Sequence, residues 1–266
     1  MKKIFLILAV LNLAVLVHAQ ESIDITYIAN DGFLISGQSG KILIDALFNK
    51  SFDQYDMPSE QLRAEIIEGK SSFGKINLFF VTHKDGDHFY APYVIDFLRK
   101  NKETQFVSSD QVNKKLLNES SIKTQLCSIS SELGAQVDTT IAGVPLKIYR
   151  VRHSGDSTGT SSVNLVYLIT LDNFKILHTG DGPIDFNSSY YNQFFSEKEK
   201  IDILFLNYFA LTEKTKQFVK TVLKPKYIIA MHIPPKDVET ESIIFLKAYQ
   251  NGFVFKTPTE TRAFAK

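Results

Sequence analysis

Four side chains able to ligate a metal, His83, Asp85, Asp87 and His88, fall within six positions of the segment Thr82-His83-Lys84-Asp85-Gly86-Asp87-His88. Neutral imidazole and carboxylate are the ligand types that hold zinc, iron or manganese. On an irregular loop, residues two apart can converge on one point, and Gly86 gives the backbone the freedom to turn both pairs inward. A solvated polar turn has the same composition. The other histidines weigh against that plainer reading. The chain has six, and all except His18 stand at the end of an expected strand: His83 and His88 after 76–81, His153 after 145–152, His178 closing 175–178, His232 after 227–231. Ligand-binding loops of α/β proteins gather at strand ends, whereas histidines used only for packing would scatter.

The elements that must position these loops follow from periodicity and turn chemistry. Residues 23–29, 33–36 and 41–47 read as strands joined by turns at Asn30-Asp31-Gly32 and Gln38-Ser39-Gly40, a meander. Residues 58–69 read as a helix, with Pro58 in its first turn and Leu62, Ile66 and Ile67 on one side. Residues 76–81 form an apolar run expected to be a strand buried on both faces. A helix over 91–100, a strand over 105–108 and a helix over 110–117 complete the first half. In the second half, strands are expected at 145–152, 163–171, 175–178, 203–206, 227–231 and 253–255, with helices at 187–195, 214–223 and 241–250. No fixed-period repeat, linker or low-complexity tract interrupts 20–266, so the expectation is one α/β domain with helices covering mixed sheets.

Composition narrows the class. With 44% hydrophobic and 22% charged residues, a disordered chain, a collagen-like repeat and a multi-span membrane protein are excluded. Lys and Arg number 30 against 29 Asp and Glu, so no field attracts nucleic acid and none is expected as a partner. Cys127 is the single cysteine, which excludes an intramolecular disulfide. At the N-terminus, Lys2 and Lys3 precede an uncharged run over 4–17 and a small-residue site at Val17-His18-Ala19. That layout predicts a signal peptide over 1–19, and the run is shorter than the ~20 apolar residues a membrane anchor needs. Cleavage after Ala19 implies a periplasmic or secreted protein with no membrane span, held by packing or a metal in place of disulfides.

In this order the motifs resemble the metallo-β-lactamase superfamily of metal-dependent hydrolases. The family pattern is a strand leading to Thr-His-x-His-x-Asp-His, then a His, an Asp and a His, each after a strand. Here these positions are Thr82-His83 through His88, then His153, Asp181 and His232. Asp31-Gly32-Phe33-Leu34-Ile35 with Gly40-Lys41-Ile42-Leu43-Ile44-Asp45 is similar to the superfamily's first hairpin. The resemblance covers nearly the whole mature chain. It implies a four-layer αββα sandwich with the site at one edge, between the two sheets. It also implies two divalent metal ions, zinc first. Site one would be His83, Asp85 and His153; site two would be Asp87, His88 and His232, with Asp181 bridging. Asp85 departs from the pattern by replacing a histidine. It adds charge and a harder donor, which shifts preference toward iron or manganese, as a glutamate does at this position in the flavodiiron branch. The competing reading is a weakened first site and a mononuclear or inactive protein.

The reaction implied is hydrolysis of an ester, lactone, thioester or phosphodiester by a metal-bound hydroxide. Asp87 would orient the nucleophile while ligating, and Asp181 would hold both ions close enough to share it. An aspartate at 181 looks like the glyoxalase II, lactonase and phosphodiesterase branches rather than dedicated β-lactamases. Residues 227–235 are similar to ascorbate-phosphate-lactonase-like and phospholipase-like members. Beside the ligands, Asp45 and His178 are candidates to orient them, with a turn cap and core packing as the alternatives. Tyr208, next to Asn207 after a strand, is a candidate oxyanion donor or an edge aromatic. Ser154-Gly155-Asp156-Ser157 is either a substrate contact or a flexible turn. The partner expected is a small-molecule substrate; oligomeric state is left open. The rival classes are a diiron redox or oxygen-handling protein, favoured by Asp85 alone, and a non-catalytic metal-binding member of the fold.

Overall fold

The computed structural model describes residues 21–50, 52, 54–195 and 199–266, so the expected signal peptide over 1–19 lies outside the described residues. Alternating apolar residues build a first sheet from β1 (Ser22–Ala29), β2 (Gly32–Ser36), β3 (Lys41–Ile44), β4 (Leu78–Phe80), β5 (Gln105–Ser109) and β6 (Leu126–Ile129). A second sheet follows from β7 (Gln136–Ile141), β8 (Val144–Arg152), β9 (Val163–Leu171), β10 (Phe174–His178), β11 (Ile203–Asn207), β12 (Tyr227–Met231) and β13 (Gly252–Phe253). The last strand, β14 (Thr261–Ala265), returns to the first sheet beside β1. The strand orders are 14-1-2-3-4-5-6 and 13-12-11-10-9-8-7. Each sheet begins as an antiparallel meander and becomes parallel where helices start to cross over.

The two-residue period of the strands sorts side chains between layers. Phe80 faces the inter-sheet core with Phe33, Tyr167 and Phe205, while its neighbour Phe79 faces the other way. On that outer face Phe79 meets Leu62 and Ile66 of α1 (Glu60–Ile67) and Phe97 of α2 (Ala91–Lys100). The short α3 (Asp110–Asn113) adds Val112. The second sheet is covered by α4 (Ser188–Phe194), α5 (Glu213–Phe218) and α6 (Val238–Ala248), which contribute Tyr191, Phe218 and Phe245. The result is the four-layer αββα sandwich. Two contacts tie the layers at the point that matters for function. Tyr167 on β9 packs its ring against Phe80 at a tilt of 50°, centres 4.7 Å apart, and donates its hydroxyl to the Val81 carbonyl at 2.8 Å. The Leu165 amide donates to the Thr82 carbonyl at 2.9 Å, so the start of the 82–88 loop is clamped by the opposite sheet.

The structure corrects several boundaries. Pro58 lies outside the first helix; Ser59 caps it, its hydroxyl accepting from the Leu62 amide. The third strand stops at Ile44 because Asp45 takes a left-handed φ of 44°, which turns the chain out of the sheet. Regular helix over 110–117 ends at Asn113. The helix expected over 214–223 runs as α5 into a wider π turn over Val219–Leu223 and stops at left-handed Lys224. The last helix begins at Val238 rather than 241. Strands β6, β7 and β14 were not expected. Strands β7 and β14 sit at sheet edges, where half the residues meet solvent and the apolar alternation is weak. Among the described residues no helix is long and apolar enough to cross a membrane.

Candidate metal centre

Asp45 organises the first half of the site. Fully buried at the end of β3, it accepts the Thr82 amide at 2.8 Å on Oδ1. Its Oδ2 accepts the Thr82 hydroxyl at 2.6 Å and His88 Nδ1–H at 2.9 Å. Having given its one proton to Asp45, the Thr82 hydroxyl can only accept from His83 Nδ1–H, at 3.0 Å. This assignment of protons leaves the Nε2 lone pairs of both His83 and His88 free to face the cluster.

The second half arrives from the other sheet. Gly180 holds φ +50°, and a Cβ there would lie 2.7 Å from Asn164 Oδ1 and 2.8 Å from Thr82 Cβ. Only glycine lets this turn press against Thr82, and the Asp181 amide then donates to Asn164 Oδ1 at 3.0 Å. His153 follows β8 and donates Nδ1–H to the Ser154 carbonyl at 2.6 Å. His232 follows β12 with φ +66°.

These side chains form two adjoining sets. His83 Nε2, His153 Nε2 and Asp85 Oδ2 lie 3.2, 3.4 and 3.7 Å apart pairwise. Asp87 Oδ2 lies 3.7 Å from Nε2 of His88 and 3.7 Å from Nε2 of His232. Asp181 stands between the sets: Oδ2 is 3.5 Å from His153 Nε2 and 3.2 Å from His232 Nε2, and Oδ1 is 3.6 Å from His88 Nε2. The structure therefore brings all seven expected ligand residues to one place. Asn30 donates to Asp87 Oδ2 and Asn207 to Asp181 Oδ1, each at 3.4 Å, which orients both carboxylates.

The other expected residues sort differently. His178 is fully buried but stands apart from the cluster: Nε2–H donates to the Asp31 carbonyl and Nδ1 accepts the Gly180 amide, each at 3.2 Å. It pins two backbone turns beneath the site, and burial holds it down to about 4. Tyr208 does not line the cavity beside the cluster; its neighbour Phe209 does. The phenol of Tyr208 is raised by burial and by the carboxylates of Glu241 and Asp237, on the α6 side. Ser154 lines the cavity, whereas Asp156 accepts from the amides of Thr158, Gly159 and Ser161 and so builds its own loop. Three residues that sequence reasoning missed complete the cavity of about 270 Å³: Phe52, Gln54 and Tyr55. The Tyr55 ring meets the His232 ring edge-on at 4.1 Å.

The electrostatics are those of a cation site. Burial, then the neighbouring imidazoles His88, His153 and His232, hold His83 well below the usual value, with Asp181 opposing. For His88, burial opposes the charge, but Asp181, Asp45 and Asp87 outweigh it and raise the group well above normal. His232 is likewise raised to about 9, against burial, by Asp181 and Asp31. Burial works against the Asp181 charge, yet His232, His88 and His153 hold it well below the carboxylate range. Protons and metal ions compete for such lone pairs.

One residue was read only as part of a turn. Asp31 is 0% exposed, and burial raises it to about 8 in spite of His232 and His88. Both its oxygens, His88 Nε2 and both nitrogens of His232 are buried with no hydrogen-bond partner among the described residues. Leaving such atoms uncompensated costs several kcal/mol, and a cation between them removes the cost. Donor atoms of Asp31, His88, Asp181 and His232 lie within 4.8 Å of one another, as do those of His83, Asp87 and His88, and those of His83, His153 and Asp181. The residues present fit divalent metal ions.

A buried His/Asp cluster where the strand-end loops of two sheets meet places the chain in the metallo-β-lactamase-fold family of metal-dependent hydrolases. The chain belongs to the beta-lactamase superfamily domain family, whose model matches residues 24–232 and so spans every residue of the cluster. No curated protein matches the chain. Among solved structures, it is similar to Igni18, a novel metallo hydrolase from the hyperthermophilic archaeon Ignicoccus hospitalis, at 17% identity and TM-score 0.62, covering 92% of this chain and 99% of that one. It is similar to an isothiocyanate hydrolase from Delia radicum gut bacteria at 16% identity and TM-score 0.54, covering 91% and 100%. CmlA, a diiron β-hydroxylase from Streptomyces venezuelae, shares the fold at 11% identity and TM-score 0.59, over 93% of this chain and 55% of CmlA. At these identities the likeness is one of fold.

Proposed function

We propose that this protein is an exported, two-ion hydrolase of small neutral esters, thioesters or lactones with an apolar substituent. The observation that carries the two-ion reading is the placement of Asp181, whose Oδ2 faces His153 at 3.5 Å and His232 at 3.2 Å. His83, Asp85 and His153 would hold one ion, and Asp87, His88 and His232 the other, with Asp181 shared. Divalent ions bound there would supply Lewis-acid polarisation of the substrate carbonyl and activation of water at neutral pH. Zinc suits the imidazoles; Asp85 and the other carboxylates admit iron or manganese.

The chain's own residues do the rest. Asp45 fixes which nitrogens of His83 and His88 face the reaction, while Asn30 and Asn207 keep Asp87 and Asp181 aimed inward. The cavity is walled by Phe52, Tyr55 and Phe209, and no Lys or Arg is among the described residues that line it. An apolar acyl or alkyl group fits that wall. No described lining residue offers a guanidinium or ammonium to a phosphodiester's oxygens; the Lys50 ammonium stands against the Phe52 ring, 4.4 Å from its centre. Tyr55 lines the cavity against His232, and its phenol, raised first by burial and then by Tyr208 and the Asp181, Asp87 and Asp31 carboxylates, would donate to the substrate's polar end.

The test is a screen of metal-free protein reloaded with Zn2+, Mn2+ or Fe2+ against aryl esters, thioesters, lactones and an aryl phosphodiester. Neutral substrates should exceed the phosphodiester by at least ~10-fold in kcat/KM, with activity lost to a chelator and restored by metal. Preference for the phosphodiester would contradict the substrate reading. A second reading, a diiron oxygen-handling protein, draws on Asp85 facing His153 at 3.4 Å. Oxygen consumption by the iron-loaded protein with no hydrolysis would favour it. Export is supported by the basic, apolar and small-residue layout of 1–19; the secreted protein should begin at Gln20.

A further inference from the structure

Asn30-Asp31-Gly32 joins β1 to β2, and turn chemistry alone accounts for an aspartate there. A turn aspartate normally gives its carboxylate to nearby backbone amides. Here, among the described residues, it is the main-chain oxygen of Asp31 that is engaged, by His178 Nε2–H at 3.2 Å. The turn is driven inward because Gly32 lacks a side chain; a Cβ there would lie 2.8 Å from the Asp45 carbonyl. The Asp31 carboxylate is thereby carried to the cluster, fully buried, with neither oxygen hydrogen-bonded among the described residues. One of its oxygens, a nitrogen of His88, a nitrogen of His232 and an oxygen of Asp181 all lie within 4.8 Å of one another. Since His88 Nδ1 is held by Asp45, the nitrogen left to face this group is Nε2, which has no hydrogen-bond partner among the described residues, and His232 turns its Nε2 toward Asp181 Oδ2 at 3.2 Å. A buried carboxyl group that converges with two imidazoles and a second carboxylate is a ligand set once it gives up its proton to the ion.

We propose that Asp31 is a ligand of the ion held by Asp87, His88, Asp181 and His232, a donor supplied by the first hairpin. The proposal rests on the two-ion reading above. It makes that position rich in oxygen, with three carboxylates and two imidazoles, and so tilts it toward Mn2+ or Fe2+. It also divides labour between the ions. The cavity is lined by Asp85, Asp87, His153, Asp181 and His232 but not by Asp31. With Asp31 as an added donor, that ion would keep fewer positions for substrate than one held by His83, Asp85 and His153.

The test titrates metal-free wild type and Asp31→Asn with Mn2+ alone, by calorimetry, with circular dichroism to confirm that the variant folds. Wild type should take up two ions. Asp31→Asn should keep one and bind the other more than ~100-fold more weakly, beyond the ~10–100-fold that loss of an outer partner costs. In a crystal of the metal-loaded wild type, an Asp31 oxygen should lie ~2.0–2.2 Å from one ion. A smaller loss of affinity in the folded variant overturns the proposal, as does an Asp31 oxygen more than about 3 Å from either ion in the loaded wild type. Wild type that binds no ion, or only one, overturns the two-ion reading instead.

Discussion

The imidazoles of the cluster are held in two different ways. His83 and His88 enter through one buried network, in which Asp45 bonds Thr82 and His88 and Thr82 bonds His83. His153 and His232 enter on separate loops from the second sheet. His153 has one main-chain partner, the Ser154 carbonyl, and His232 has no hydrogen-bonded ring nitrogen among the described residues. The first pair is positioned by the folded protein whether or not an ion is bound. The second pair borders the cavity and faces carboxylates that only a cation or a proton can satisfy. A rigid half and an ion-ordered half suit a site that must keep its geometry yet admit a substrate.

The largest effect that tests this contrast belongs to Asp45→Ala. It removes the acceptor of three buried hydrogen bonds, one of them the His88 pair, so metal-free protein should lose ~3–5 kcal/mol of stability in denaturant unfolding. A loss below ~1 kcal/mol would mean that the network does not hold the first half.

Acid should act on the same scaffold through His178. Burial lowers this imidazole from 6.5 to about 4 in the folded chain. The unfolded chain therefore binds the proton first, and the contribution of His178 is fully present above about 6.5 and is lost as pH drops from there toward 4. The full contribution is roughly 3 kcal/mol. Unfolding curves across this range, compared with His178→Gln, should be steeper in wild type than in the variant, where buried His83, lowered in the same way, still contributes.

Metal should stabilise the ion-ordered half. Free ion at ~100 times its Kd should add ~2.7 kcal/mol to unfolding stability. His232→Ala should sharpen the contrast with Asp45→Ala. It should cost metal-free stability less than Asp45→Ala does, because no hydrogen-bonded network is lost and only the Asp181 and Asp31 carboxylates are left without its charge, while abolishing uptake of one ion and nearly all hydrolysis. Destabilisation of the metal-free variant comparable with Asp45→Ala would erase the distinction between the halves. The smallest effect is expected at the wall, where Phe209→Ala should raise KM for an apolar ester by ~5–30-fold, about 1–2 kcal/mol, with kcat nearly unchanged.

The histidine-bearing loops were legible because each follows a strand that the sequence marks strongly. Phe79-Phe80-Val81 before Thr82, and the apolar run before His232, leave little doubt about where the strands end. Asp31 was not legible because Asn-Asp-Gly is fully explained by turn chemistry; its burial depends on Gly32 meeting the Asp45 carbonyl, a contact between distant residues. Tyr55 lies in a segment without periodicity, and its place over His232 is set by tertiary packing. Tyr208 and Phe209 differ by one position after β11, and only the turn that follows decides which ring faces the cavity. The strand expected to run through Leu47 hid the left-handed turn at Asp45, although that turn brings the carboxylate within reach of Thr82 and His88.

The central claim is that one buried cluster holds two ions and that hydrolysis requires both. Metal-free protein titrated with Zn2+ or Mn2+, while turnover of a neutral aryl ester is followed, tests it most directly. The account predicts that activity rises to a plateau at two ions per chain, with the first ion alone giving little. Full activity at a single ion per chain, or no hydrolysis at any metal content, would contradict it.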